Sequence, residues 1–288
     1  MTTQTWFITG SSRGFGRALT IAALEAGDQV VATARKPEQL ADLVNEYGDR
    51  VLPVALDVNN AQQVEAAFEA AVQQFGRVDV VVNNAGYANI APVETAPEDD
   101  FRQQFDTNFW GVYYVSKAAI PVMREQGSGL IIQFSSLGGR VGGAPGLGAY
   151  QAAKFAVDGL TRVLASETAA FGIKYVVVEP GGFKTDWAGS SMEIQSIPEH
   201  YQASVGAMAS VMGTPLVQAG DPERAGEALV RLAKVDETPS HFLLGAGAVQ
   251  AAVAYSQSQI DEATLWQDAS TSLDFDQAYP VALPGEKA

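Results

Sequence analysis

The stretch "TGSSRGFG", residues 9–16, decides the fold that this sequence predicts. It follows the short apolar run "TWFIT" (5–9) directly, and a helical pattern begins where it ends. The spacing of Gly10, Gly14 and Gly16 allows a tight turn and lets the backbone approach a pyrophosphate at the N-terminus of the helix. An ordinary turn explains the same glycines, so the pattern has to be weighed with the rest of the chain.

Short runs dense in Val, Ile and Leu alternate with longer helical patterns along most of the chain. The predicted strands are 5–9, 29–34, 51–58, 78–85, 129–136, 174–180 and 241–245. The predicted helices lie near 15–26, 37–47, 61–75, 98–125, 149–171 and 222–234. Because the runs are continuous rather than alternating, we expect strands that are covered on both faces. The order predicts an α/β fold, a Rossmann-type doubly wound parallel sheet of about seven strands with helices on both faces and right-handed crossovers.

The chain reads as a single domain with an extension. We expect residues 1–250 to form a dinucleotide-binding and catalytic domain, because no linker-like segment or repeat interrupts them. Within it, residues 182–220 are mixed in polarity and rich in Met, Ser and Gly, which favours a substrate flap. Residues 251–288 continue a C-terminal helix into an aromatic, acidic tail. We expect that tail either to cover a sheet edge or to contact another subunit.

Composition excludes several classes of function. The net charge of −15 repels nucleic acid and anionic membranes, so neither is expected as a partner. Zero cysteines exclude disulfides, thiolate chemistry and zinc–sulfur sites, and His200 and His241 are too far apart to suggest a metal cluster. The N-terminus lacks a signal-peptide pattern, and the longest low-polarity stretch, 243–255, is too short to span a bilayer. We therefore expect a cytoplasmic protein that contains no metal.

The residues after the second predicted strand indicate which dinucleotide is bound. Enzymes that use NAD carry a carboxylate there for the ribose hydroxyls, whereas this chain has Ala34 followed by Arg35. A guanidinium can bind a 2′-phosphate through two parallel hydrogen bonds, and Arg13 in the glycine loop can assist. The alternative is that both arginines are solvated surface charges. The pattern favours NADP(H) as the cofactor.

Two Tyr–Lys pairs have the spacing of one helical turn. Tyr150 and Lys154 lie in "GAYQAAK", and Tyr113 and Lys117 lie in "YYVSK". Tyr150 follows a serine-ending strand across a glycine-rich loop, at the carboxyl edge of the sheet where open α/β folds bind ligands. Tyr113 lies inside a long helical pattern and is expected to pack against other helices. The surroundings therefore assign chemistry to the Tyr150 pair.

Several separated motifs, in order, resemble the short-chain dehydrogenase/reductase family over about residues 5–250. They are "TGSSRGFG" (9–16), "LDV" (56–58), "NNAG" (83–86), "TNFWG" (107–111), "FSS" (134–136), "YQAAK" (150–154) and "PGGFKT" (180–185). Beyond about residue 185 the family varies and the resemblance says little. It implies an enzyme that interconverts a carbonyl and a secondary alcohol by hydride transfer with a nicotinamide cofactor, with Tyr150 as acid/base.

The resemblance also implies which residues form the site. The catalytic residues would be Asn108, Ser136, Tyr150 and Lys154. The cofactor-binding residues would be Gly10, Ser12, Arg13, Gly14, Phe15, Gly16, Arg35, Asp57, Val58, Asn84, Ala85, Gly86, Tyr150, Lys154, Pro180, Gly181 and Thr185. In this scheme Ser136 polarises the substrate oxygen, Lys154 binds the nicotinamide ribose, and Asn108 holds a water that relays protons. The nicotinamide carries the hydride. The family likeness further suggests a homodimer or homotetramer, built through the helices that hold Asn108 and Tyr150.

A tyrosine acts as an acid/base near neutral pH only if its pKa is lowered. The ordinary phenol pKa is about 10 and a good acid/base group has a pKa near 7, a gap of about 4 kcal/mol. One ammonium about 4 Å away supplies roughly that at an effective dielectric constant of 20. Lys154 is the expected source of this charge.

Some choices stay open at this stage. Ser136 precedes Tyr150 by fourteen residues, one more than in many family members, and Ser135 is the alternative. Asp99 and Asp100 are expected to be a solvated first helical turn rather than a catalytic pair. The flap is expected either to line a pocket for a hydrophobic ketone or alcohol or to form a mobile surface. The residues concerned are Trp187, Met192, His200, Tyr201 and Met208. Alternative functions are an NAD-dependent alcohol dehydrogenase and a dinucleotide-sensing protein without turnover.

Overall fold

The protein is described by a computed structural model that covers residues 3–188, 192–212, 214 and 218–286. Residues 189–191, 213 and 215–217 of the predicted flap lie outside the described residues. Within the described part of the chain, seven strands form one parallel sheet in the order β3-β2-β1-β4-β5-β6-β7. The strands are β1 Thr5–Ile8, β2 Gln29–Ala34, β3 Val51–Ala55, β4 Val80–Asn83, β5 Gly129–Phe134, β6 Ile173–Pro180 and β7 His241–Leu244. The predicted Rossmann-type sheet is confirmed.

Helices cover both faces of this sheet. They are α1 Gly14–Glu25, α2 Ala41–Tyr47, α3 Ala61–Phe75, α4 Glu98–Phe105, α5 Gly111–Gln126, α6 Gly148–Thr168, α7 Ala207–Val211, α8 Pro222–Leu232, α9 Ala246–Leu265 and α10 Gln267–Thr271. Successive side chains of β1 point to opposite faces, as in any strand. Trp6 and Ile8 pack in the core beneath α1 and α8, whereas Phe7 packs with α3 and stacks on Phe68 at 4.2 Å. Burial on both faces explains why the strand sequences are continuously apolar.

One predicted helix is interrupted. The single helix expected over 98–125 is two helices, α4 and α5, joined by a π-helical turn at Asp106–Trp110. In this turn the side-chain amide of Asn108 donates a 2.8 Å hydrogen bond to the carbonyl of Gln104, four residues earlier. The side chain thus occupies an acceptor that the regular backbone ladder would use, which accounts for the local widening.

The carboxyl ends of the central strands form the ligand edge of the sheet. The strand order reverses direction between β1 and β4, and open α/β sheets bind ligands in the crevice at such a reversal. The loops that follow β1, β4, β5 and β6 therefore converge on one edge. This convergence brings together motifs that lie up to about 170 residues apart in the sequence.

The C-terminal extension forms a projecting helix. α9 begins at Ala246, and almost every residue from Val253 to Leu265 is exposed. A tail with acidic and aromatic side chains follows α10. The division of the chain at residue 250 remains a prediction. Among the described helices, none has both the length and the apolar character that crossing a membrane requires.

Candidate active site

The loop between β1 and α1 has the shape of a phosphate-binding turn. Gly10 and Gly14 have positive φ angles of 71° and 54°, which glycine adopts without strain. A Cβ atom on Gly16 would lie 2.2 Å from the Gly10 carbonyl oxygen, so the first turn of α1 packs directly on the loop. Arg13 precedes α1, and no side chain caps the helix there. The backbone donors of this N-terminus are therefore available to an anion.

The segment "NNAG" fastens this loop to the sheet. The side-chain amide of Asn84 donates to the carbonyls of Thr9 and Gly10, at 2.9 and 3.2 Å. The backbone amides of Asn84 and Ala85 donate in turn to the Thr9 hydroxyl, at 2.9 and 3.0 Å. These four bonds hold the glycine loop against the end of β4. The conformation of the glycine loop is consequently preorganised for ligand binding.

The remaining predicted cofactor residues border the same edge. Ser12 and Phe15 belong to the loop and α1, Asp57 and Val58 follow β3, and Pro180, Gly181 and Thr185 follow β6. Phe15 packs against Phe134 and Phe183, with ring centres 5.4 and 4.9 Å away. A Cβ on Gly14 would touch Thr185 at 3.6 Å, so the segment after β6 reaches the glycine loop. The structure therefore brings the two ends of the predicted cofactor site together.

Two cations at this edge have no ionic partner in the described part of the chain. Arg13 and Arg35 are exposed and form no salt bridge with any described residue. Ala34, where an NAD enzyme has its carboxylate, ends β2 and is 5% exposed. Burial and Asp100 raise the pKa of Tyr87, and the nearby positive charge of Arg35 lowers it.

The four predicted catalytic residues meet at the ends of β4 and β5. Tyr150 and Lys154 lie on the first turns of α6 and are 8% and 3% exposed. The Nζ atom of Lys154 lies 5.6 Å from the centre of the Tyr150 ring. Asn108 is fully buried in the π-helical turn, and Ser136 follows β5 directly. The residues thus come from three elements, as the sequence motifs predict.

Asn108 and Lys154 face the same point above Gly86. A Cβ on Gly86 would lie 2.5 Å from the Oδ1 atom of Asn108 and 3.5 Å from Nζ of Lys154. The Nδ2 atom of Asn108 donates to the carbonyls of Tyr87 and Gln104, both at 2.8 Å, which fixes the orientation of the amide. Its Oδ1 atom is buried without a hydrogen-bond partner. A buried acceptor of this kind suits a bound water or a ligand hydroxyl.

The two candidate serines have different surroundings. Ser135 is 4% exposed, and its hydroxyl donates to the backbone carbonyl of Lys154 at 3.2 Å. It therefore points beneath α6. Ser136 is half-buried, accepts a 3.0 Å bond from the Gly138 amide, and is near enough to Tyr150 to lower the pKa of that phenol. The geometry favours Ser136 as the serine that faces a ligand.

Burial controls the protonation of the Tyr–Lys pair. It raises the pKa of Tyr150 to about 12, against the smaller lowering by Ser136. It also lowers the pKa of Lys154 to about 8, because the charged ammonium is removed from water. The lowering of the phenol pKa toward 7 that we expected from the Lys154 charge is not found in this structure, because burial of the ring raises that pKa instead. The Lys154 ammonium donates its hydrogen bond to the Phe134 carbonyl, at 2.7 Å.

An apolar cluster packs beside Tyr150. Its buried members besides Tyr150 are Ala88, Ile90, Leu147 and Val205, and it is completed by Ala144, Trp187, Met192, Ile197, Tyr201, Ala209 and Met212. The Trp187 ring centre lies 5.1 Å from that of Tyr150. Three of the five flap residues named from the sequence, Trp187, Met192 and Tyr201, belong to this cluster. His200 is instead exposed against the ring of Tyr201, and Met208 is half-buried outside the cluster.

The flap is fastened to the loop that follows β4. Ile90 donates from its amide to the Glu193 carbonyl at 2.8 Å and accepts from the Gln195 amide at 2.9 Å. The Tyr201 hydroxyl donates to the Glu94 carboxylate at 2.6 Å. The sequence analysis did not predict that this loop contributes to the cluster. The apolar run "ANIA" (88–91), directly after "NNAG", is the signal that could have revealed it.

The rejected candidates lie elsewhere. Tyr113, on α5, packs edge-on against Trp110 of the π-helical turn, and Lys117 lies over the Tyr113 ring. Asp100 accepts hydrogen bonds from Asn89 and Gln104, while Asp99 is exposed. Within the described ranges, no group of three His, Asp or Glu side chains could hold a metal ion.

Comparison with known proteins identifies the family. The sequence profile described as short chain dehydrogenase matches residues 4–195. The oxidoreductase BOA17 of Botryotinia fuckeliana is 54% identical over 250 residues, covering 86% of this chain and 91% of that protein. A 3-ketodihydrosphingosine reductase of Bacteroides thetaiotaomicron is 34% identical, covering 91% and 95%. A short-chain dehydrogenase structure from Streptomyces avermitilis has a TM-score of 0.88 at 36% identity, covering 96% and 100%.

The sheet, the glycine loop and these likenesses together define an oxidoreductase with an NAD(P)-binding fold. The chain belongs to the short-chain dehydrogenase/reductase family. Among its structural neighbours, one was solved with NADH and another with NADP. The choice between the two dinucleotides therefore depends on the residues of this chain.

Proposed function

We propose that the protein is an NADP(H)-dependent oxidoreductase that interconverts a hydrophobic ketone and its secondary alcohol. The observation that carries the proposal is the meeting of Tyr150, Ser136, Lys154 and Asn108 at the ligand edge, next to an apolar cluster of side chains. A dinucleotide suits the donors and acceptors at this edge, because no side chain caps the N-terminus of α1 and the buried Oδ1 atom of Asn108 lacks a hydrogen-bond partner.

The proposed cofactor contacts follow from this arrangement. The N-terminus of α1 and the glycine loop would bind the pyrophosphate, and Arg35, with Arg13, would bind a 2′-phosphate. Asp57 and Val58 would meet the adenine. Pro180, Gly181 and Thr185 would border the nicotinamide, and Lys154 would bind its ribose. When bound, the nicotinamide supplies or accepts the hydride.

The chain's own residues manage the proton and the substrate oxygen. The phenol of Tyr150, with a pKa of about 12, is protonated at neutral pH and gives its proton to the oxygen of a ketone that is being reduced. The hydroxyl of Ser136 binds the same oxygen and stabilises the negative charge that develops there. A water on the orphan Oδ1 of Asn108, next to the Lys154 ammonium, returns the proton to Tyr150 from solvent. In alcohol oxidation the same groups work in reverse.

The proposed substrate class rests on the apolar cluster beside Tyr150. Aliphatic and aromatic side chains from the flap and from the loop after β4 surround the phenol there, and Glu94 at its border is bonded to the Tyr201 hydroxyl. A charged substrate would lose its hydration there without gaining a partner. An uncharged aryl, steroid or long-chain ketone suits this lining, and one relative is named a 3-ketodihydrosphingosine reductase.

Self-association is part of the proposal. The helices that hold Asn108 and Tyr150 expose Trp110, Phe155 and Val163, which are 42%, 41% and 52% accessible. Large exposed apolar side chains of this kind on neighbouring helices favour a subunit contact. We expect a homodimer or homotetramer, in which the acidic tail either joins or caps the contact.

The test is a substrate panel with both cofactors. The purified protein is mixed with NADPH or NADH and with aryl, steroid, long-chain and small carboxylated ketones, and nicotinamide absorbance is followed. We expect turnover of the apolar ketones with NADPH and none of the carboxylated ones. Turnover with NADH alone would instead indicate an NAD-dependent enzyme. Tight dinucleotide binding without turnover of any ketone or alcohol would indicate a sensor.

A further inference from the structure

A buried ion pair lies behind the predicted catalytic serine. The Nε atom of Arg140 donates to both carboxylate oxygens of Glu179, at 3.0 and 2.9 Å. The Glu179 side chain is 1% exposed, and that of Arg140 is 24% exposed. Neither residue belongs to the motifs that predicted the site. Their positions in the sequence are 39 residues apart.

This pair joins two segments that border the active site. Glu179 is the residue of β6 that precedes Pro180, where the chain enters the loop beside the proposed nicotinamide site. Arg140 ends a short turn that starts at Ser136, and its amide donates to the Leu137 carbonyl at 3.1 Å. The ion pair therefore fixes the far end of the turn whose first residue is Ser136.

The turn between Ser136 and Arg140 has little freedom of its own. The Gly138 amide donates to the Ser136 hydroxyl oxygen and the Gly139 amide to the Ser136 carbonyl, at 3.0 and 2.9 Å. A Cβ on Gly139 would lie 2.4 Å from the Ser135 hydroxyl and 2.9 Å from the Lys154 Cβ. A shift at Arg140 would consequently be transmitted to Ser136 rather than absorbed within the turn.

Stability alone does not account for such a pair. Buried ion pairs are commonly no more stable than well-packed apolar side chains of similar volume, because both charges lose their hydration. Burial indeed raises the pKa of Glu179, against the opposing effect of Arg140. What the charged pair supplies is a fixed distance and direction between the two segments.

We propose that Arg140 and Glu179 are positioning residues that hold the Ser136 hydroxyl at its working distance from Tyr150. The inference rests on the proposed function, because it gives Ser136 a substrate oxygen to bind. Neither residue contacts the substrate in this scheme. They act through the turn at 136–140, and misplacing a catalytic group by about 1 Å can lower turnover roughly 100-fold.

The test replaces both charges at once. Arg140→Met alone leaves a buried, unpaired carboxylate and is expected to fold poorly. The double variant Arg140→Met, Glu179→Leu removes both charges and should keep the wild-type melting temperature. We expect its kcat for ketone reduction to fall about 10- to 100-fold. Its Kd for NADPH should change by less than about 3-fold, since the loss concerns the serine and not the dinucleotide.

A double-mutant cycle with Ser136→Ala distinguishes loss of Ser136 positioning from a general loss of active-site structure. In a Ser136→Ala background the same double substitution should lower kcat by less than about 3-fold, because the effects of substitutions at residues that act together are not additive. An equally large loss in that background would overturn the proposal. So would a wild-type kcat in the double variant. Arg77→Met is the control, because Arg77 forms its salt bridge with Asp79 at the amino end of β4, away from the ligand edge.

Hydrogen exchange gives a readout that needs no turnover. In the double variant, exchange at the amides of Gly138, Gly139 and Arg140 should be faster than in the wild type, while β4 and β5 keep their protection. Unchanged exchange in this turn would overturn the inference even in an inactive protein. Faster exchange in a protein that reduces no ketone would support the positioning role and contradict the proposed reaction instead.

Discussion

The Nζ atom of Lys154 donates a 2.7 Å hydrogen bond to the backbone carbonyl of Phe134, the last residue of β5. This bond joins the first turns of α6 to the edge of the sheet at the point where Ser135 and Ser136 begin. It leaves the ammonium 5.6 Å from the centre of the Tyr150 ring. Lys154 is thus a buried cation whose protonation is coupled to folding, and this coupling can be measured.

The first prediction concerns pH and stability. Burial lowers the pKa of Lys154 to about 8 in the folded chain, below its ordinary value of 10.5. Between pH 8 and 10 the unfolded chain therefore binds more protons, so the free energy of unfolding should rise with pH, by about 2 kcal/mol from this group. The raised pKa of Tyr150 acts in the opposite direction as the phenol of the unfolded chain begins to ionise, from about pH 9 upward, and its effect is the same in both proteins compared below.

Urea unfolding of the wild type and Lys154→Met at pH 8 and pH 10 measures this coupling. The variant has no ammonium to desolvate, so its unfolding free energy should rise by about 2 kcal/mol less over this interval. Equal pH dependence in the two proteins would show that Lys154 keeps an ordinary pKa in the fold.

The second prediction compares the two Tyr–Lys pairs. Tyr150→Phe should remove nearly all turnover while NADPH affinity stays almost unchanged, because the phenol supplies the proton and the ring remains. Tyr113→Phe, on α5 next to Trp110, should keep most activity. The measurement is kcat with an accepted ketone, together with cofactor titration. If the Tyr150 variant keeps more than about a tenth of the wild-type kcat, another group is the acid.

The third prediction separates the adjacent serines. Ser136→Ala should lower kcat by about 100-fold or more, as expected when one donor to a developing oxyanion is lost. Ser135→Ala removes only the bond to the Lys154 carbonyl, so it should cost about 1 kcal/mol of stability and leave kcat nearly unchanged. Turnover and thermal unfolding of both variants decide the matter. The reverse pattern would transfer the role to Ser135.

The fourth prediction tests the cofactor. A charge-assisted hydrogen bond contributes about 1.5–3 kcal/mol, so Arg35→Ala should weaken NADPH binding by about 10- to 150-fold and change NADH binding little. Adding Ala34→Asp should move preference toward NADH, although the 5% exposure of this position means that the carboxylate also lowers stability. Arg77→Ala is the control. Equal NADPH affinity in the wild type and Arg35→Ala would make Arg35 a surface charge.

The fifth prediction concerns assembly. Sedimentation at micromolar concentration should show a species larger than the 30.4 kDa chain. Val163→Glu, on the exposed face of α6, should shift the distribution toward the single chain, because it places a charge in the apolar contact. A wild type that sediments only as the 30.4 kDa chain would contradict the proposed self-association.

The sheet could be predicted from sequence because its strands are continuously apolar and its motifs stand directly after them. Gly10, Tyr150 and Lys154 can be located in this way, since a parallel sheet brings strand ends to one edge. The choice between Ser135 and Ser136 depends on which hydroxyl faces the ligand edge, because neighbouring residues after a strand point in opposite directions. The sequence does not show this direction. The Arg140–Glu179 pair left no periodic pattern. Its partners are 39 residues apart, and only the packing of β6 on the turn after β5 joins them.

The π-helical turn at Asp106–Trp110 makes chain length, and not only residue identity, a requirement of this site. Removing any one residue from it would allow a regular helix from Glu98 to Gln126, with a complete backbone ladder. The repaired helix would turn the preceding segment by about 100° relative to α5. Asn108 would then lose its place above Gly86 even though the asparagine itself was retained. In this segment a deletion that improves the helix would be more damaging than most substitutions.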